Sequence, residues 1–563
     1  LGFAAFAVDT GLIGLTKTNM QNAVDAAALA ASQEITGAIR LAGQEGEGGD
    51  PSIDANSIAV AQARQMAYDV ALANGVLIDP DSGVEFGKRT FDAASGTWPI
   101  LWGTAPYNVV KVTAGRDQDK DNANSVTMPS VNGQPAKVIS NGKLGLWFGW
   151  AVGSPNMALT ASATAFVEAR DIVVVLDFSG SMNDDSSMNA FSRLGQATVE
   201  QELDDMWQAL READPKWPGT SESKFPASGF GKITTASGKY ISSSNTNKIF
   251  KKLKLNKKNS DGTPKYPFPQ AGKNSDGTPK GRPDYSASMS KWKDYIGYVK
   301  GKSGTYGKKY GYRTLMDYLQ AQRYGNDISE DLWRTPHYPF NAVKEGATLF
   351  LDFLTNLDFG DEVGLVSYAS TARQETTLDE EDASVDISSD PITPDYSLID
   401  TIQRHKQAGH YSNMTNMGDG IKKAKELMAG HIRYGARPTM LLMTDGNTNQ
   451  RPSGWSLPGD WDWNALTDYN GDGRANYTTN DRSKQYAFWE AKQAIDLGVT
   501  IHTMSVGAGA DWQLMKAIAF AGGGVWINVP GGTTIAEMKD EMMQAFTEIA
   551  AKVPPAKLVY GDF

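Results

Sequence analysis

Cysteine is absent from all 563 residues. Disulfides, zinc–thiolate centres and thiol nucleophiles are therefore excluded, although that absence assigns the chain to no redox compartment. Histidine is scarce: His337, His405, His410, His431 and His502 are the full set, and none sits in an HExxH or other paired-ligand spacing. There is no GxxxxGKS/T phosphate loop and no GxSxG elbow, so the usual signatures of nucleotide and serine hydrolysis are missing. Basic charge is in deficit, with 54 Lys and Arg against 65 Asp and Glu, a net charge of -11 and a pI near 5.2. No nucleic-acid partner is expected for such a molecule.

What is present begins with an apolar opening, LGFAAFAVDTGLIGL, that runs without proline into KTNMQNAVDAAALAASQEITGAIRLAG. The composition predicts one long helix over residues 1–45, broken by GEGGDPS at 46–52. Fifteen residues of helix reach about 22 Å, short of the roughly 30 Å hydrocarbon core. The expectation is the latter part of a membrane-spanning or filament-packing helix, with a buried core helix as the alternative. A second helix is predicted from about residue 53 to Asn74. The runs VEF, NVVKVTA, KLGLWFGWAV and ALTASATAFVEA then read as strands, giving a small α+β domain over 46–168. The patterns AVDTG (7–11) and MQNAVDAAALAAS (20–32) resemble the N-terminal region of TadG-like proteins of Tad pilus assembly. That resemblance implies a bacterial cell-envelope location, exported and anchored or assembled through the N-terminal helix, with pilus or envelope subunits as partners.

The chemistry is concentrated at DIVVVLDFSGSM (171–182), where an apolar run suited to a strand buried on both faces ends in Asp177, Ser179 and Ser181. Further on, MTNMGDGIKKAKELM (414–428) puts Thr415 just before a helix, and PTMLLMTDGNTN (438–449) ends a second buried strand at Asp445. Hydroxyls and carboxylates are hard donors suited to six-coordinate magnesium. This constellation resembles the metal-ion-dependent adhesion site of von Willebrand factor A domains. The resemblance implies that Ser179, Ser181 and Thr415 are ligands of Mg2+ (or Mn2+ or Ca2+), with Asp177 and Asp445 acting largely through water. It also implies binding of a protein or polysaccharide carboxylate rather than catalysis. The alternating strands and helices, with helices at 340–357, 511–520 and 534–550 and strands at 361–370, 499–507 and 523–529, imply an α/β, doubly wound Rossmann-like domain over 169–550. A tail, 551–563, follows.

Two segments interrupt that pattern. Residues 183–337 form a large insertion whose first part, SRLGQATVEQELDDMWQALREAD, is predicted as one amphipathic helix facing Leu194, Leu203, Met206 and Leu210 inward. Its stretch 215–313 carries 21 Lys and Arg against 5 acids. That excess reads either as a surface for an anionic polymer or as a solvated loop. KNSDGTPK occurs there twice, at 258–265 and 273–280. The second segment contains DYNGDGRANYTTND (468–481), where Asp468, Asn470, Asp472, Arg474 and Asn476 occupy calcium-loop positions around Gly473, with Thr479 in place of the closing acid. Calcium binding and an Asx-rich turn both remain open there. The acidic run 378–390 is expected to be a solvated loop. Two functions compete: an envelope adhesin, and a structural subunit whose A-type domain contacts its neighbours.

Overall fold

A computed structural model describes residues 2–45, 55–129, 136–213, 244–268, 288–303, 306–322, 332–380, 383–507, 509–529 and 556–559, with shorter pieces between 225 and 283. The first helix, Gly2–Glu45, packs along the second, Ala55–Ala73. Met20, Ala23, Val24, Ala27, Ala28 and Ala31 face a stripe of Ala63, Ala67 and Ala71, all buried. The spacings of three and four residues keep each set on one helical face, and methyl-sized side chains let the two backbones approach closely. A larger residue at Ala67 would force the pair apart, at a cost of roughly 1–3 kcal/mol. Among the described residues no helix is long and apolar enough to cross a membrane.

Both helices lie on a five-stranded antiparallel sheet in the order Lys557–Leu558, Leu159–Phe166, Val109–Arg116, Val84–Arg89, Ile100–Trp102. Leu159, Ala161, Ala163 and Ala165 point into the core while Thr160 and Ser162 face out, the two-residue alternation of a half-buried strand. Two expectations are corrected here. The tail contributes a strand, Lys557–Leu558, that closes one edge of the N-terminal sheet. KLGLWFGWAV is not a strand: only Leu144–Gly145 pairs, and Gly149–Val152 is a 3-10 turn.

The second sheet has six strands in the order Ala372–Gln374, Glu362–Tyr368, Arg170–Asp177, Arg437–Thr444, Thr500–Val506, Gly523–Val529. All pair in parallel except the first, an antiparallel edge. Every residue of Arg170–Asp177 is buried, because helices cover both of its faces. Ile172, Val174 and Leu176 pack on Phe340, Val343, Phe350 and Leu354 of the helix Phe340–Leu357. Val173 and Val175 meet Met417, Ile421 and Ala424 of Met417–His431, with Phe488 of Arg482–Ile495 and Leu514 of Trp512–Ala521 in the same cluster. Burying each such side chain contributes about 1.5–3 kcal/mol. From Arg170–Asp177 the chain builds first to one side and later to the other. The carboxyl end of this strand is therefore a topological switch point, where a crevice opens.

The segment 183–337 has a core of its own. Val199, Leu203, Met206 and Leu210 pack with Trp292, Tyr295, Ile296, Leu315 and Met316, and the Trp292 indole donates to the Tyr266 carbonyl at 2.9 Å. The single helix expected at its start is two, Phe191–Leu194 and Gln196–Ala213, parted by Gly195 at φ +87°. Leu194 is consequently only half-buried. The described parts of this basic stretch are folded, with Lys251, Lys252, Lys257 and Lys258 exposed at their surface. The second KNSDGTPK copy lies largely outside the described residues, as does the helix expected at 534–550. The acidic run 378–390 is also corrected, since Thr377–Asp379 and Ser384–Asp386 pair as a hairpin that buries Leu378 and Val385.

Candidate metal centre

Asp177 ends the central strand, and the chain leaves it extended at Ser179 before a 3-10 turn, Gly180–Asn183. The turn places both hydroxyls on one side, with Ser179 Oγ and Ser181 Oγ 3.1 Å apart. Ser181 Oγ donates to Asp445 Oδ1 at 2.9 Å, joining the ends of two adjacent strands. Asp177 accepts from the Ser179 backbone N–H through Oδ1 at 2.9 Å and from Thr444 Oγ1 through Oδ2 at 2.8 Å. Thr415 precedes the helix Met417–His431. Its N–H donates to Asn449 Oδ1 and its carbonyl accepts from the Asn449 N–H, at 2.9 and 2.8 Å. Ser181, Thr415 and Asp445 line one groove of about 520 Å³, with Asp184 and Asp185 on its rim. The five residues singled out from the sequence thus gather at the switch point.

Asp177 and Asp445 are buried, and among the described residues neither pairs with a lysine or arginine. Burial pushes the Asp177 carboxyl up to about 6, against the hydrogen bonds from Ser179 and Thr444. Asp445 is pushed well above the ordinary range, first by burial and then by the negative charge of Asp177. Two buried carboxylates without a cation are costly, and an added cation would relieve that cost. Neutral hydroxyls and two carboxylates match the donor preferences of Mg2+. Among the described residues no three His, Asp or Glu side chains form a metal cluster.

Sequence reasoning missed Thr444, Asn449 and Tyr368. Tyr368 Oη donates to the Met443 carbonyl at 2.7 Å beneath Asp177. Thr444 directly precedes Asp445 at a strand end, so a hydroxyl-carboxylate pair was visible there; Tyr368 comes from a different strand and carried no local signal. Two of the histidines have structural roles. His502 Nδ1 accepts from the Val525 N–H at 3.1 Å, and His337 Nε2 from the Ala408 N–H at 3.1 Å. Burial drives His337 down to about 3, so it stays neutral.

In the loop at 468–481 the side chains hold their own backbone. Asp468 Oδ1 accepts from the N–H groups of Gly471 and Asp472, and its Oδ2 accepts from that of Gly473. Asp472 accepts from the Arg474 N–H, and Asn470 donates to Asp472. Asn476 Oδ1 accepts from the Tyr469 N–H. Asp481, the late acid, caps the helix Arg482–Ile495. This is a set of Asx turns on the surface.

The first 34 residues match the family model for Flp pilus-assembly TadE/G-like proteins. No curated protein matches the sequence. Solved structures similar to the chain include several von Willebrand factor A domains. The pilus adhesin SpaC from Lactobacillus rhamnosus GG is 16% identical, over 38% of this chain and 27% of SpaC, with a TM-score of 0.24. The von Willebrand factor domain of the type V pili tip protein Mfa5 from Porphyromonas gingivalis is 14% identical over 37% of this chain and 88% of that one, at 0.23. The PilB minor pilin from Streptococcus sanguinis, solved as a point mutant, is 11% identical over 83% and 86%, at 0.29. The chain spans about a quarter of SpaC, and the chemistry of the site rests on the geometry above.

Proposed function

We propose that this chain is a metal-dependent adhesion or binding protein of the bacterial cell envelope, associated with Tad-type pili. Residues 169–550 are read as a doubly wound von Willebrand factor A domain interrupted by the insertion 183–337. The observation that carries the reading is the convergence of Asp177, Ser179, Ser181 and Asp445 at the switch point, with no cationic side chain paired to either carboxylate among the described residues. Ser179, Ser181 and Thr415 would hold Mg2+, and Asp177 and Asp445 would orient its water. A bound Mg2+ would supply a positive centre for an outside carboxylate, from a protein or an acidic polysaccharide. Thr444 and the Ser179 N–H hold Asp177 in place, and Asn449 fixes the backbone of Thr415.

Calorimetric titration of the full chain with Mg2+ tests the reading. Asp177→Ala should abolish cation binding while the far-ultraviolet spectrum is retained, and undiminished affinity in that variant would refute the site. The alternative, a structural subunit of a surface filament, is favoured by one observation: Phe6, Val8 and Leu15 of the first helix are exposed. Ordered filaments of purified protein that form equally well in EDTA would favour it.

A further inference from the structure

Asp9 lies within an apolar stretch of the first helix yet is 8% exposed. Its carboxylate accepts two backbone N–H groups, Trp147 to Oδ1 at 2.9 Å and Phe148 to Oδ2 at 3.0 Å. A buried charge is thereby satisfied, and a loop from the small domain is fastened to the helix. The loop is tight: Leu146 N–H donates to the Pro155 carbonyl, and a Cβ at Gly149 would meet the Ser154 carbonyl oxygen at 2.2 Å. What this tight loop presents is apolar. Trp147 and Trp150 are 73% and 70% exposed, and Phe148 is 39% exposed.

Phe6 shows where the body of the protein stops. It precedes Asp9 by three residues and so shares the helical face that is buried at Asp9 and at Met20, yet it is 71% exposed. On this face the covering ends at the level of Asp9, and the helix continues there beside the loop whose Trp147, Phe148 and Trp150 form a one-sided collar. No charged residue occurs in LGFAAFAV, residues 1–8. Neither the Trp147 nor the Trp150 indole N–H has a protein partner among the described residues.

We propose that this collar seats on the lipid–water interface of a bilayer, with Trp147 and Trp150 at headgroup depth and Phe6 below them. Indoles pair an apolar ring with an N–H that hydrogen-bonds headgroups, and they concentrate at that depth. The charge-free helix on the outer side of the collar favours hydrocarbon over a second aqueous surface. The buried carboxylate of Asp9 positions the loop and does not contact lipid. The inference rests on the envelope location proposed above and is independent of the cation site.

The test uses the full chain with phosphatidylethanolamine–phosphatidylglycerol vesicles whose acyl chains are brominated near the headgroup. Emission lost in the variant Trp147→Tyr/Trp150→Tyr isolates these two among the 14 tryptophans. The expected result is quenching of that component by the vesicles, and a drop in vesicle flotation of about tenfold, one decade of affinity, for Trp147→Ser/Trp150→Ser. Mg2+ titration of the same variant should be unchanged, which separates failure of the collar from failure of the metal reading. An unquenched pair, or a wild-type chain that does not float, would overturn the proposal. So would self-association in buffer that the double serine variant abolishes, since the occupant would then be a second copy.

Discussion

The two ends of the six-stranded sheet both bury carboxylates and treat them in opposite ways. At the amino ends of the strands, Asp361 pairs with Arg170 and Asp171 with Arg433, each at 2.5 Å. Arg433 also reaches Glu362 at 2.9 Å and donates to the Gly360 carbonyl. At the carboxyl ends, Asp177 and Asp445 receive hydroxyls and a backbone N–H. Where a buried charge serves architecture, the chain brings its own counter-charge. Where none is paired among the described residues, as at Asp177 and Asp445, the carboxylates are held by neutral donors alone, and the cation proposed above would answer their charge.

The strongest way to probe this contrast is to make the amino end resemble the carboxyl end. Arg433→Ala would leave Asp171 and Glu362 without a cation and should destabilise the fold by about 3–5 kcal/mol, read from urea denaturation. A cost below about 1 kcal/mol would mean that the pairing matters little. Next, Mg2+ at a hundredfold excess over its Kd should stabilise the wild type by about 2.7 kcal/mol. Asp445→Asn should remove that gain while leaving stability in EDTA equal or higher, because it deletes an unpaired charge. A variant destabilised in EDTA would show that Asp445 is already well compensated.

A smaller effect concerns pH. The Asp177 carboxyl titrates near 6 in the folded chain against 3.8 ordinarily. The folded state therefore holds its proton more tightly. This contribution to stability is complete below about pH 4 and is lost as pH rises through 6. In EDTA, Asp177→Asn should gain on the wild type across that window by roughly 2–4 °C in Tm. With Mg2+ present, the wild type should recover the difference as cation displaces proton. A pH-independent gap between the two would contradict the assignment. The smallest effect is a control: Lys492→Ala, which breaks an exposed pair with Asp496, should change stability by less than about 0.5 kcal/mol. It would show that burial, rather than pairing as such, sets the size of the other effects.

Much of the fold was legible because its signals are local. The helix Phe340–Leu357 and the strand Gly523–Val529 fall where periodicity predicts them, since an amphipathic or continuous apolar pattern is written in neighbouring residues. The six-stranded sheet was legible as a run of such elements. Less visible was the hairpin at 377–386, whose acidic residues conceal two inward-facing positions, Leu378 and Val385. Gly195 was read through as helix because one glycine inside an amphipathic pattern is tolerated often enough to mislead. The core of 183–337 went unread because Trp292 and Tyr295 lie some ninety residues from Leu203, and composition alone made the intervening lysines look like loop.

The sequence by itself determined the candidate cation site as a set of residue types: hydroxyls and carboxylates following buried strands, at spacings that survive any rearrangement of the rest. It also determined that Gly2–Glu45 is one helix, through alanine content and the absence of proline. Only the tertiary structure decided which charges are answered. Arg433 and Asp171 are 262 residues apart, and Asp9 and Trp147 are 138 apart. Such pairings depend on how separate elements dock, which no local pattern encodes. Tertiary structure likewise brought Lys557–Leu558 back to the first domain as an edge strand, because a two-residue strand has too little pattern to be read and is held by its partner's hydrogen bonds.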